Sequence, residues 1–184
     1  MGQNPIADLS PVASLPVLEF LDISTTGITD LEPLRNLSTI TELYISGNAI
    51  IDLEPLTGLT SMIDLRAKEN QIADVTPLAN MANLTVLDLF QNQLINIDTL
   101  GTLITLRALD IGKNQITSVE PLAPLVEMIE LYIRENQITD ISPLVSMINL
   151  RFIDISGNNI ADKEALNSLV LLTIFDQPVE ETVE

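Results

Sequence analysis

The residues that could carry chemistry in this 184-residue chain are carboxylates, arginines, lysines and a few aromatics, because Cys, His and Trp are absent. That absence excludes a Cys-His nucleophile pair, a Ser-His-Asp triad, a zinc site and a disulfide scaffold. Asp88 and Asp110, one sequence period apart, could act as a carboxylate pair of the glycosidase type. We expect no such enzyme, because both should lie solvent-exposed on a flat ribbon where nothing raises a pKa or excludes water. The acidic residues also lack calcium-loop spacing, so we expect neither a metal nor another cofactor.

The charge balance restricts the partners. The chain has 26 acidic and eight basic side chains and a formal net charge of -18. Binding to a phosphate backbone needs clustered Lys and Arg, so we expect no nucleic-acid partner, and anionic membrane surfaces are disfavoured for the same reason. No segment reaches the roughly 18 apolar residues of a membrane-spanning helix, and no charged-then-apolar leader opens the chain. We therefore expect no membrane insertion by this region.

A period of 22 residues dominates the sequence. Asparagine recurs at this spacing, with Thr26 as the one interruption, at Asn4, Asn48, Asn70, Asn92, Asn114, Asn136 and Asn158. The apolar residues keep fixed offsets around each asparagine, and the unit is LxxLxLxxNxIxxIxPLxxLxx. Its first half alternates apolar and polar residues, which predicts a half-buried strand. In its second half an acidic or hydroxyl residue precedes proline, as in Glu54-Pro55 and Ser142-Pro143. This pattern predicts one or two capped turns of helix of the tighter 3-10 type.

These residues resemble the leucine-rich repeat. The segment from 136 to 144 reads NQITDISPL, and it is similar to the 22-residue subclass found in bacterial internalins and SDS22-type phosphatase regulators. The resemblance implies an α/β fold, a right-handed solenoid with a curved parallel β-ribbon on the concave side and short 3-10 or α turns on the convex side. It covers about residues 2 to 172 and is specific for fold rather than for function.

The recurring asparagine should form an internal ladder of Asn48, Asn70, Asn92, Asn114, Asn136 and Asn158. Where the chain leaves each strand, backbone groups point inward without sheet partners, and an unpaired buried group is costly. An amide supplies both donors and an acceptor, whereas Asp accepts only and Ala does neither. Asn92→Ala or Asn114→Ala should therefore lower stability by about 1 to 3 kcal/mol.

Both ends depart from the template. We expect residues 1–175 to form about eight units without an N-terminal cap, since Met1 takes the last apolar position of a strand. Leu172 and Phe175 are predicted to fill the first two leucine positions of the final strand. Residues 176–184, DQPVEETVE, look like an acidic linker or tail. Together these features suggest a region excised from a longer protein.

The strand positions between the leucines concentrate two residue types. They hold five of the six aromatics and six of the eight basic residues, but only ten of the 26 acidic ones. Arg and Tyr are over-represented at interface hot spots. We expect two patches on this face, which are Tyr44, Arg66, Lys68 and Phe90 in the middle and Arg107, Tyr132, Arg134, Arg151 and Phe152 toward the C-terminal end. The alternative is that pairs such as Arg66 and Asp88 are cross-strand salt bridges and that aromatics are merely favoured on strands.

These patches predict a non-enzymatic, monomeric module that binds another protein on its concave face. The internalin resemblance implies a bacterial surface or secreted setting, although the internalin-type helical cap, a following immunoglobulin-like region and an anchor motif are missing from this sequence. Two alternatives remain, an intracellular SDS22-like regulatory or scaffold subunit and a structural spacer.

Overall fold

A computed structural model describes residue 6, residues 8–169 and residues 172–176. Within them, eight strands form one parallel sheet in chain order. The strands β1 to β8 are Phe20–Asp22, Glu42–Tyr44, Asp64–Arg66, Val86–Asp88, Ala108–Asp110, Glu130–Tyr132, Phe152–Asp154 and Thr173–Phe175. The helices η1 to η8 are Ser10–Ser14, Glu32–Leu34, Glu54–Leu56, Thr76–Leu78, Asp98–Thr102, Glu120–Leu122, Ser142–Ser146 and Glu164–Leu166. All eight are 3-10 helices, and the described ranges contain no α-helix. The predicted solenoid of parallel strands and short helical turns is confirmed.

The core consists of stacked aliphatic side chains at equivalent positions of successive units. The central residue of each strand from β2 to β7 is buried, and Leu43, Leu65 and Leu109 have no exposed surface. The helices η2 to η8 each bury a leucine, such as Leu78 in η4 and Leu122 in η6, whereas η1 buries no side chain. A single unit has too few apolar side chains to enclose a core, so the stability of each unit depends on its neighbours.

The strand register follows the 22-residue period up to β7 and then shifts by one residue. Leu131 pairs with Ile153, but Ile153 pairs with Ile174, which is 21 positions later. The prediction that Phe175 fills a leucine position was therefore wrong. Because side chains alternate between the two faces of a strand, a one-residue deletion aligns Ile174, which is 38 % exposed, with the buried central residues of β2 to β7 and places Phe175 on the outer face. Met1, Asn4 and residues 177–184 of the predicted 176–184 tail lie outside the described residues.

A series of polar side chains, distinct from the recurring asparagines, fixes the start of every 3-10 helix. The residue two positions before each helix accepts a hydrogen bond from the first backbone N–H of that helix. Asp52 Oδ1 accepts from Glu54 N–H at 2.8 Å, Asn96 Oδ1 from Asp98 N–H at 2.7 Å, and Ser118 Oγ from Glu120 N–H at 3.2 Å. The capping role predicted for the residue before proline is therefore performed two residues earlier. A short oxygen-bearing side chain at that distance closes an Asx-type turn.

The asparagine ladder joins each unit to the preceding one. Asn92 Oδ1 accepts from the Ile72 N–H at 3.0 Å, and Asn92 Nδ2 donates to the carbonyls of Ala67 at 3.0 Å and Leu89 at 3.1 Å. The Leu89 carbonyl also accepts from Asn114 Nδ2 at 3.1 Å. The same sharing recurs at each of the neighbouring carbonyls from Ile45 to Ile133. Four members, Asn70, Asn92, Asn114 and Asn136, are 8 to 9 % exposed, and Asn48 and Asn158 at the two ends are half-buried.

The residue before each ladder asparagine has a positive φ, which the tight turn at the end of the strand requires. Gly47 and Gly157 occupy this position with φ of 65° and 66°, but Gln91 and Lys113 adopt φ of 54° and 53° with side chains attached. The left-handed region costs a residue with a Cβ roughly 1 to 2 kcal/mol relative to the right-handed one. The turn is thus imposed by the stacking of units rather than favoured by the local sequence.

None of the helices in the described part of the chain has the length and apolarity needed to cross a membrane.

Candidate functional site

The outer side chains of the sheet form three columns, one residue per unit, which together make up the exposed sheet face. The first column is Phe20, Glu42, Asp64, Val86, Ala108, Glu130 and Phe152. The second is Asp22, Tyr44, Arg66, Asp88, Asp110, Tyr132 and Asp154. The third is Ser24, Ser46, Lys68, Phe90, Gly112, Arg134 and Ser156. Parallel strands in constant register place each of these residues beside its counterpart in the next unit.

The first predicted patch centres on Tyr44 and Arg66. The Arg66 guanidinium lies over the Tyr44 ring at 4.7 Å from its centroid, and the Phe20 ring meets Tyr44 edge-on at 5.2 Å. Arg66 donates to Asp64 on its own strand at 2.9 Å. Of the cross-strand salt bridges considered as the alternative, Arg66–Asp88 is therefore not formed, whereas Arg134 does bridge to Asp110 at 3.2 Å and to Asp154 at 4.0 Å. Lys68 lies close to Glu69, with Nζ 3.8 Å from Oε1, and its side chain is half exposed.

Phe90 belongs with the second patch rather than with the first. The Arg134 guanidinium stacks over the Phe90 ring at 4.4 Å and donates to Asp110 Oδ2 at 3.2 Å. Gly112 lies between them in the third column, and a Cβ there would stand 3.0 Å from Arg134 Cγ and 3.1 Å from Phe90 Cδ2. The missing side chain of Gly112 therefore lets Arg134 reach across one unit. Sequence reasoning missed this role, although a glycine inside a strand column is the signal that indicates it.

Aromatic rings continue from the second patch to the last strand. Tyr132 and Phe152 have ring centroids 4.9 Å apart, and Phe152 and Phe175 are also 4.9 Å apart. Arg134 lies 5.6 Å from the Tyr132 ring centroid. Phe175 joins this run because of the register shift, so it adds an aromatic residue that the sequence had assigned to the core. Phe175 is 51 % exposed.

The remaining two residues of the second patch lie beside the columns rather than in them. Arg107 and Arg151 precede β5 and β7 and are exposed. Arg107 lines a shallow depression with Thr85, Thr105 and Glu127. Across the described ranges, no salt bridge or cation–π contact involves either arginine. The structure therefore brings Tyr132, Arg134 and Phe152 together and leaves Arg107 and Arg151 on the rim.

Asp88 and Asp110 lie side by side in the second column and are partly withdrawn from water. Desolvation by burial raises the pKa of Asp88, and it also raises the pKa of Asp110, although hydrogen bonds from the Phe90 and Gly112 N–H groups oppose the shift. The expectation that nothing on this face raises a carboxylate pKa was wrong, because the neighbouring side chains cover the aspartates. Within the described ranges no group of three or more His, Cys, Asp or Glu side chains could hold a metal ion.

Comparison with known proteins agrees with this architecture. A family model for leucine-rich repeats matches twice, over residues 82–124 and 126–169. An internalin C2 of Listeria monocytogenes is 35% identical with a TM-score of 0.75, and the alignment covers 86% of this chain and 80% of that one. An internalin (InlF) of the same organism is 28% identical with a TM-score of 0.78, covering 95% of this chain and 58% of that one.

A leucine-rich repeat protein of Leptospira interrogans shares the fold at 20% identity, with a TM-score of 0.83 and coverage of 90% of this chain and 44% of that one. No curated protein sequence matches the chain. The stacked parallel strands, the shared asparagine bonds and the 3-10 turns define a leucine-rich repeat solenoid. The chain belongs to the leucine-rich repeat family, and internalins of Listeria monocytogenes are among its structural relatives.

Proposed function

We propose that the chain is a non-enzymatic recognition module that binds a partner protein on the exposed sheet face. The observation that carries this proposal is the continuous aromatic and arginine cluster formed by Phe90, Arg134, Tyr132 and Phe152. Rings and guanidinium groups held by their neighbours lose little side-chain entropy on binding, and such residues dominate interface energetics. The cluster occupies the one broad surface that the repeating strands present in regular order.

The setting we propose is a bacterial surface or secreted protein of the internalin type. The structural similarity to two internalins supports it, as does the NQITDISPL segment, which fits the 22-residue subclass. We propose that the module acts as a monomer, because the ring cluster and the asparagine bonds from Asn48 to Asn158 are formed within one chain.

The test is capture of surface proteins from solubilised host-cell membranes by the immobilised chain. The Tyr132→Ala/Arg134→Ala variant should lose the captured protein. The matched control is Arg35→Ala, which removes an arginine that pairs with Glu32 and Glu54 beside the 3-10 helices, away from the sheet face. Capture that survives the double substitution in a variant with an unchanged melting profile would contradict the proposal.

A further inference from the structure

The sheet face contains a depression between the two predicted patches. Its lining includes Val86 and Ala108, the two aliphatic side chains of the first column among β1 to β7, and its volume is about 240 Å³. Arg66 stands on one side and Tyr132 on the other. Clefts for drug-sized ligands occupy roughly 300 to 1,000 Å³, so this depression suits the end of one long side chain.

Some charged side chains around the depression have salt-bridge partners and others do not. Arg66 is held by Asp64, and Arg134 is held by Asp110, with Asp154 at 4.0 Å. Asp88 also lines the depression, and it has no salt-bridge partner within 4.0 Å among the described residues. Its Oδ1 accepts the Phe90 N–H at 3.0 Å, which leaves Oδ2 for a further donor. Arg66 and Arg134 are thus paired with other carboxylates, whereas Asp88 meets the positive charges of Lys68, Arg66 and Arg134 only beyond 4.0 Å.

An incoming cation would meet complementary groups in this depression. It could donate a hydrogen bond to the Asp88 carboxylate, which would be its counter-ion, and Asp110 lies beside Asp88 in the pairing of β4 with β5. The Tyr132 ring forms one wall, and a cationic head beside an aromatic ring gains cation–π attraction. An incoming anion would instead face both aspartates, and Arg66 already donates to Asp64 through Nε and Nη2.

We propose that the depression receives the cationic end of a lysine or arginine side chain that projects from the partner protein, with Asp88 as its counter-ion and Tyr132 as its wall. This inference rests on the proposed function and adds the chemistry of one partner residue. It also accounts for the absence of bulky first-column side chains at Val86 and Ala108, since a larger residue at either position would fill the space.

The test is an NMR titration of the ¹⁵N-labelled chain with N-acetyl-arginine methylamide. The matched probe is N-acetyl-citrulline methylamide, which has nearly the same shape and no charge. The arginine probe should shift the amide signals of residues 86–88 and 108–110, and the citrulline probe should not. Asp88→Asn keeps an oxygen for the Phe90 N–H but removes the charge, so it should weaken binding of the arginine probe about tenfold.

Asp22→Asn is the control variant, because Asp22 belongs to the same column and accepts the Ser24 N–H at 2.9 Å. It should leave the titration unchanged. Equal shifts from both probes, or equal weakening by Asp22→Asn and Asp88→Asn, would overturn the proposal. Ala108→Leu, which should fill the depression, must also abolish the shifts. The titration needs no partner protein. It can therefore give a negative result even if capture of the partner depends on Tyr132 and Arg134. The two proposals are tested separately.

Discussion

Removal of two adjacent ladder asparagines should destabilise the protein by more than the sum of the single effects. In Asn92→Ala the Ile72 N–H loses its acceptor, whereas the Ala67 and Leu89 carbonyls each keep one amide donor. An orphaned buried donor costs about 1 to 3 kcal/mol, and each lost net hydrogen bond about 1 kcal/mol. With one orphaned N–H and two lost amide bonds, we expect each single substitution to lower the free energy of unfolding by about 3 to 5 kcal/mol, more than the roughly 1 to 3 kcal/mol expected when only one unsatisfied group is counted.

The double variant Asn92→Ala/Asn114→Ala differs because both amides donate to the Leu89 carbonyl. With both removed, that carbonyl loses both of its amide donors, so the coupling energy should be about 1 kcal/mol or more. Asn70 and Asn114 share no carbonyl. Their double variant should therefore be additive within about 0.5 kcal/mol.

Urea denaturation followed by circular dichroism measures these differences, and a second probe should check that the whole stack unfolds together. Asn83→Ala is the control, since Asn83 is exposed and its single amide bond reaches the Thr60 carbonyl at 3.2 Å. We expect it to change stability by less than about 0.5 kcal/mol. Additive behaviour of the adjacent pair would show that the shared carbonyl does not couple the units. A single variant as stable as the wild type would show that the amide is not needed at all.

Three further outcomes are expected. Burial raises the pKa of Asp88, so its charged form destabilises the native state. Asp88→Asn should therefore be at least as stable as wild type at about pH 7. In urea titrations this advantage should vanish as the pH falls through the raised pKa of Asp88 to about 3. Gly101→Ala should lower the melting temperature by several degrees, because its Cβ would stand 2.3 Å from the Pro121 carbonyl oxygen; an unchanged temperature would contradict that contact. Gln91→Gly should raise the free energy of unfolding by up to about 1 kcal/mol by relieving the positive φ, and a loss in urea titration would refute the strain.

Much of the fold was predictable because the period alone places equivalent residues side by side. The second and third columns of the sheet face follow directly from a constant register, since neighbouring strands in a parallel sheet bring position i beside i+22. The last strand was mispredicted for the same reason, because a single deletion after Ile153 changes which side of the sheet every later residue faces.

Side-chain pairing was less predictable than register. Arg66 could have reached a carboxylate on its own strand or on the next, and the sequence does not specify the rotamer that selects Asp64. Partial burial of Asp88 depends on the surrounding side chains rather than on the residue itself. The reach of Arg134 across Gly112 depends on a residue that carries no functional group.

The shared carbonyls place a restriction on how such a molecule could change its length. An internal insertion or deletion of one whole unit moves every later amide onto an equivalent carbonyl, so no bond in the series is lost. A change by any other number of residues within a strand or the turn that ends it, between Asn70 and Asn136, leaves the donors out of phase with the acceptors. Length variants that keep the ladder should therefore gain or lose whole units, and their exposed sheet face should widen or narrow by one strand at a time.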